Sequence, residues 1–384
     1  MKTTADLSKV FLTIFTAFCI FSSVVTADAD NGPTDGEIIP ASVIHQKLAE
    51  GKVATYLNKR RALALAATEQ LENTQTNYDV LFYDIYIRVD DTNEIIYGKV
   101  TFVALAAEDG VNEVQVDFFD NMTIDSIVAP SGALLYTRAN NVVTVTLDAT
   151  YNTGEQFDFD FWYHGHPEEG GFQAFAFDIR QGKKVISTLS EPYFARTWWP
   201  CKDRTDDKAD SFNIAIEVDT VFYVGSNGTL DSIVYNGGTS NTFYYSVRYP
   251  MTTYLFSLAI SEYTVWYDEW VYNNGQDTMP IVNACYPDRL ADAQAGWGIT
   301  PQAITIFSEQ YGQYPFVQEK YGHANFEWGG AMEHQTMSSM TGSWFGFYEP
   351  VVVHELSHQW WGDMITCKGW GHIWLNEGWA SYSE

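Results

Sequence analysis

The stretch EPVVVHELSHQWWGD, residues 349–363, decides how the second half of the chain is read. Glu349-Pro350 suits the start of a helix, because proline lacks only an amide hydrogen that the first turn leaves unbonded anyway. Val351, Val352 and Val353 lead into His354-Glu355-Leu356-Ser357-His358, and Gly362 is expected to close the helix. Residues i and i+4 of a helix share one face, so both imidazoles reach one metal ion while Glu355 lies beside it as a base. Further on, WLNEGWASY spans 374–382, and eighteen residues separate His358 from Glu377. A carboxylate on the next helix is the expected third ligand of a two-His, one-Glu zinc site. Asn376, just before it, is expected to orient a ligand from behind. Three protein ligands leave an open position for water, whose pKa one Zn2+ per chain would lower towards neutrality. Glu355 would take the water's proton and pass it to the leaving amine, so the reaction class is hydrolysis of an amide. His45, His164, His166, His323, His334 and His372 are expected to be structural rather than ligands.

Upstream, Thr300-Pro301 opens a helix through Ala303, Ile304 and Phe307 that ends near Gly312, and Gly322 to Glu333 reads as extended. Before about Tyr267 the period is two. Leu81, Tyr83, Ile85, Ile87 and Val89 alternate with Phe82, Asp84, Tyr86 and Arg88, and Asp90-Asp91-Thr92-Asn93 is a turn. The pattern returns at Val143/Val145/Leu147, at Phe157/Phe159/Phe161/Tyr163 and at Phe212/Ile214/Ile216/Val218. Each run is a half-buried strand bounded by turn residues. Residues 78–265 therefore read as one antiparallel β-domain and residues 266–384 as a second domain, an α+β chain.

The 384 residues are 46% apolar, enough for a large core, and carry a net charge of −28. That balance argues against nucleic acid and anionic membrane as partners. Lys2 and Lys9 precede an apolar run from Val10 to Val25, with Val25-Thr26-Ala27 as a small-residue cleavage site. Residues 1–27 thus read as a signal peptide, which implies an exported protein with no stable membrane span after cleavage. Residues 28–77 read as a linker and a helical segment, Ser42 to Glu72. Cys201, Cys285 and Cys367 would remain, with one disulfide pair open to them. Asn121-Met122-Thr123 and Asn227-Gly228-Thr229 fit the glycosylation pattern.

At these residues the sequence resembles the aminopeptidase N family of gluzincin metallopeptidases. HELSHQWWGD at 354–363 and WLNEGWASY at 374–382 are similar to its zinc signature, and GGAMEH at 329–334 to its exopeptidase motif. EPYFARTWWPCKD at 191–203 and PMTTYLFSLAI at 250–260 resemble parts of its first domain. The resemblance runs from about Tyr78 to Glu384. It implies a β-saddle domain followed by a thermolysin-like zinc catalytic domain, cut short. It implies that Glu333 and Glu191 bind the α-ammonium of a peptide substrate with a free N-terminus. Gly330, Ala331 and Met332 would offer backbone to the peptide as an edge strand does. His334 stands where the family usually has Asn. His372 stands where many members have Asp; the leukotriene-hydrolase branch resembles this sequence there, which leaves a side activity on epoxides open. The family's transition-state tyrosine and helical C-terminal domain are expected beyond Glu384. The function implied is that of a zinc aminopeptidase. Its rivals are an endopeptidase without amine anchors, a catalytically incomplete zinc- and peptide-binding fragment, and a leukotriene-hydrolase-like bifunctional relative.

Overall fold

Strand Tyr78–Asp90 buries Tyr83, Ile85, Ile87 and Val89 on one face and leaves Asp84, Tyr86 and Arg88 half-buried on the other. The computed structural model describes residues 75–167, 171 and 173–384. The expected signal peptide and the helix from Ser42 to Glu72 lie outside the described residues. The first strand departs from its simple alternation at one point. Val80 pairs with Ala104 and Phe82 with Val103, so Leu81 is the extra residue of a bulge and Val80 points inward in its place.

This strand sits inside an eight-stranded sheet. Across it run Thr229–Tyr235, Ser240–Val247, Ser211–Asp219, Tyr78–Asp90, Ile95–Ala106, Gln156–Gly165, Met122–Ala129 and Gly132–Ala133. The expectation of a wholly antiparallel domain needs correction, because Phe82–Arg88 pairs in parallel with Ser211–Glu217. Period-two burial is the same for both directions, so the pattern carries no information on polarity. A four-stranded sheet (Tyr223–Ser226, Leu258–Ser261, Lys183–Thr188, Phe175–Arg180) and a three-stranded one (Val111–Asp117, Val142–Tyr151, Leu135–Ala139) complete this part. Its core holds Trp198 and Trp199, both fully buried, with Phe256 at 5.0 Å and 5.4 Å from their ring centroids. Burying a side chain such as that of Phe256 contributes about 1.5–3 kcal/mol.

A five-stranded sheet begins at Thr264. Its order is Thr264–Tyr272, Asp277–Cys285, Tyr321–Phe326, Ser338–Thr341 and Ala331–Met332, so the last and shortest strand lies at an edge. Among the described residues, four α-helices accompany it: α1 (Leu290–Trp297), α2 (Thr300–Tyr311), α3 (Glu349–Ser357) and α4 (Trp379–Ser383). α1 has no counterpart in the sequence reading. α2 buries Ala303, Ile304 and Phe307, and Gly312 ends it at φ 98°, as its glycine suggests. α3 stops at Ser357, short of the expected end at Gly362. Beyond Ser357 the bonds tighten to i→i−3 turns, Gln359 N to Leu356 O and Trp360 N to Ser357 O, and the Trp360 indole donates to the Gly312 carbonyl at 2.8 Å with its ring edge-on to Phe307 at 5.9 Å.

Cys201, Cys285 and Cys367 are buried free thiols. The Asn227 sequon is closed to glycosylation in the folded chain, because its side chain is fully buried and donates to the carbonyls of Leu255 and Gln335. No helix among the described residues is long and apolar enough to cross a membrane.

His323 is fully buried, stacks on Trp297 at 4.9 Å, and has Nδ1 2.9 Å from Asn283 Oδ1. Burial pushes its pKa down to about 3. The folded chain therefore keeps it neutral, while the unfolded chain takes up a proton below about 6.5. Stability is expected to fall as pH drops from about 6.5, by up to roughly 1.4 kcal/mol per pH unit for this residue. Urea titrations at pH 7 and pH 5.5 would check it, with a shallower pH dependence expected in His323→Gln.

Candidate active site

α3 and the turn after it carry His354 and His358 on one face. His354 Nε2 and His358 Nε2 lie 3.2 Å apart. Glu377 Oε2 is 3.4 Å from the first and 3.9 Å from the second. Donors bound about 2.1 Å from a tetrahedral zinc ion stand roughly 3.4 Å from one another. The chemistry and the separations of these three donors therefore fit zinc. Glu377 lies on a π-helical turn, Trp374–Gly378, that runs into α4. Such turns concentrate at functional positions because they re-aim one side chain within a helix.

Each imidazole is also held through its other nitrogen. His358 Nδ1 is 3.0 Å from the Trp361 carbonyl, and His354 Nδ1 is 2.9 Å from Glu384 Oε1. A carbonyl or carboxylate at Nδ1 fixes the tautomer that leaves Nε2 as a lone pair. Asn376 was expected to do this orienting. Its amide instead donates to the Tyr254 hydroxyl at 3.4 Å. Gly362, at φ 138°, passes between the two side chains, and a Cβ there would come 3.2 Å from His358 Nδ1 and 3.3 Å from Asn376 Nδ2. Glu384 was missed by the sequence reading. Its signal is its spacing of seven from Glu377, two turns along one helical face.

Glu355 is buried one residue from His354. Carboxylate oxygens of Glu333 and Glu355 and a nitrogen of His358 lie within 4.8 Å of one another. So do oxygens of Glu191, Glu333 and Glu377. Glu191 comes from the β-domain, just past strand Lys183–Thr188, and Glu333 follows edge strand Ala331–Met332. Both are buried. The two glutamates, far apart in sequence, thus meet beside the third donor. Gly330 immediately precedes the edge strand, and its carbonyl accepts from Thr341 N at 3.0 Å. His334 is fully buried with Nδ1 2.8 Å from Ser339 Oγ. His372 is exposed and belongs to none of the three-donor groups found among the described residues.

The field of the site is negative. Burial, then Glu333 and Glu355, push the Asp363 carboxyl well above its usual range against the opposing effect of Lys208. Burial disfavours protonation of His354, but Glu377, Glu384 and Glu355 outweigh it and push its pKa up to about 10.

Residues 79–255 match the Peptidase M1 N-terminal domain and residues 299–384 match the Peptidase family M1 domain. Leucine aminopeptidase 2 of Vanderwaltozyma polyspora is 24% identical over 80% of this chain and 47% of its own length. Probable aminopeptidase 1 of Saccharolobus solfataricus is 29% identical over 52% of this chain and 26% of its own. The chain thus spans about half or less of the length of these curated relatives. Among solved structures, the M1 zinc metallopeptidase of Deinococcus radiodurans aligns with a TM-score of 0.71 at 25% identity, over 81% of this chain and 70% of that one. A mutant of it bound to a Tyr-Ser-Ala substrate aligns at 0.70 and 23% identity, over 80% and 70%.

Competition titration against a chromophoric chelator is expected to find one zinc per chain. His358→Ala and Glu377→Ala should abolish that binding. Glu384→Gln should keep the stoichiometry and weaken affinity by about 10–100-fold, the usual effect of losing a carboxylate behind a ligating histidine.

Proposed function

Because the chain belongs to peptidase family M1, we propose that it carries the metal and amine-binding site of a zinc-dependent aminopeptidase that removes single residues from peptides with a free N-terminus. The observation that carries this reading is the meeting of Glu191, Glu333 and Glu377, whose oxygens lie within 4.8 Å of one another. Two carboxylates facing one ammonium hold the first residue of a peptide beside the metal donors. An internal peptide bond brings no positive charge to that position, which separates this reading from an endopeptidase. His354, His358 and Glu377 would hold the metal. Zinc bound there would act as a Lewis acid and lower the pKa of a water towards neutrality.

The remaining steps belong to the chain's own side chains. Glu191 and Glu333 bind the α-ammonium. The outer edge of Ala331–Met332 offers backbone groups to an extended peptide, as strand addition requires. Glu355 accepts the proton of the attacking water and returns it to the leaving amine. The burial of Glu191, Glu333 and Glu355 supports these roles, since charge-assisted contacts strengthen where water is scarce. The apolar run from Val10 to Val25 supports a further proposal, that the protein is exported.

The test compares an amino-acid anilide with its N-acetylated form, using zinc-loaded protein. The free amine should be strongly preferred, and Glu333→Ala should lower kcat/KM for it by about 10–150-fold, the equivalent of about 1.5–3 kcal/mol. Glu355→Gln should keep its zinc and lose hydrolysis. Equal cleavage of the blocked and free substrates would refute the assignment.

A further inference from the structure

Three residues beyond Glu333 the backbone passes through Thr336 at φ 63°. A hydrogen bond of 3.0 Å from Met337 N to the His334 carbonyl closes the turn. The left-handed region is unfavourable for a β-branched residue, and a strained residue persists only where its surroundings fix it. Here every polar atom of Thr336 is held, and by three separate parts of the chain. Its amide donates to Gln359 Oε1 at 2.8 Å. Its carbonyl accepts from Lys320 Nζ at 2.9 Å. Its hydroxyl accepts from Gly228 N at 2.8 Å and from Lys320 Nζ at 3.3 Å.

These three holders belong to the parts that make the site. Gln359 follows the donor His358, and its Nε2 donates to the Glu333 carbonyl at 3.3 Å. Gly228 belongs to the β-domain that also supplies Glu191, and its neighbour Asn227 donates to the Gln335 carbonyl at 2.7 Å. Lys320 precedes strand Tyr321–Phe326. Lys320, Thr336, Gln359 and Asn227 are all buried. A glycine at 336 would take the turn without strain but would bring no hydroxyl to hold Gly228 and Lys320.

We propose that Thr336 is a positioning residue: its turn sets where Glu333 presents its carboxylate to the substrate ammonium relative to the metal donors. The proposal rests on the aminopeptidase reading. Thr336 touches no substrate. It acts by locking the segment after Glu333 to the metal-bearing turn on one side and to the β-domain on the other.

The test reads binding and needs no turnover. Zinc-loaded protein is titrated calorimetrically with leucine hydroxamate and with 4-methylpentanohydroxamate, the same metal-binding probe without the amine. Wild type should prefer the amine probe by about 10–100-fold, the range of a charge-assisted contact. Thr336→Gly, which suits the φ, should cut that ratio by at least about fivefold through the amine probe alone. Thr336→Ser, which keeps the hydroxyl, should retain the wild-type ratio. Thr336→Val, which keeps the shape and loses the acceptor, gives the same reading if the glycine variant does not fold. An unchanged ratio in the variants, or a parallel fall in both affinities, overturns the proposal while leaving the aminopeptidase reading intact. A wild type with no preference for the amine removes that reading and the proposal with it.

Discussion

Buried negative charge is the constraint on which the site depends. Glu191, Glu333, Glu355 and Asp363 are all buried, and Glu377 stands among them half-buried. A carboxylate removed from water is costly unless a cation or several hydrogen bonds compensate it. Lys208 supplies part of this compensation, since it opposes the rise of the Asp363 carboxyl. Lys208 Nζ is turned onto the carbonyls of Asp363 and Met364, and burial lowers its pKa to about 8. Burial and the neighbouring carboxylates push the Asp363 carboxyl up, and positive charge brought from outside would relieve the same repulsion. On the proposed function, a divalent ion at His354, His358 and Glu377 and an ammonium at Glu191 and Glu333 would be two such charges. On this reading the same electrostatics underlies metal binding and recognition of the substrate N-terminus.

That constraint explains why the site is assembled from distant segments. A cluster of like charges on one short peptide would be solvated and dispersed. Here it is enforced by packing. Tyr254 and Tyr193 of the β-domain meet Trp370 edge-on at 5.1 Å and 5.9 Å. Met332 and Cys367 join the hydrophobic core around Trp198 and Trp199. Apolar contact on that scale stabilises by several kcal/mol and offsets the cost of holding the carboxylates together. Thr336 is held in the same way, with hydrogen bonds from three segments maintaining a backbone conformation that its side chain disfavours.

Much of the fold was legible in the sequence because burial alternates wherever a sheet has one wet face. Tyr83, Ile85, Ile87 and Val89 announce a strand without reference to any partner. The same alternation says nothing of strand direction, so the parallel pairing of Phe82–Arg88 with Ser211–Glu217 was invisible. It also runs straight through the bulge at Leu81, since an extra residue leaves no mark in composition. α3 was placed correctly at its start by Pro350 and too long at its end, because past Ser357 the chain tightens into i→i−3 turns that composition does not mark.

The candidate site divides along the same line. The sequence by itself determined the donor types and the shared helix face of His354 and His358, because a helix fixes the relation of i to i+4 locally. Its spacing made Glu377 a candidate on the same local logic. Only the tertiary structure decided that Glu191 and Glu333 stand beside Glu377, that Glu384 and the Trp361 carbonyl hold the two imidazoles, and that Asn376 serves Tyr254 instead. Those contacts join segments up to 186 residues apart, from Glu191 to Glu377. Periodicity and capping act over a few residues, whereas contacts at that separation are set by how whole sheets and helices pack.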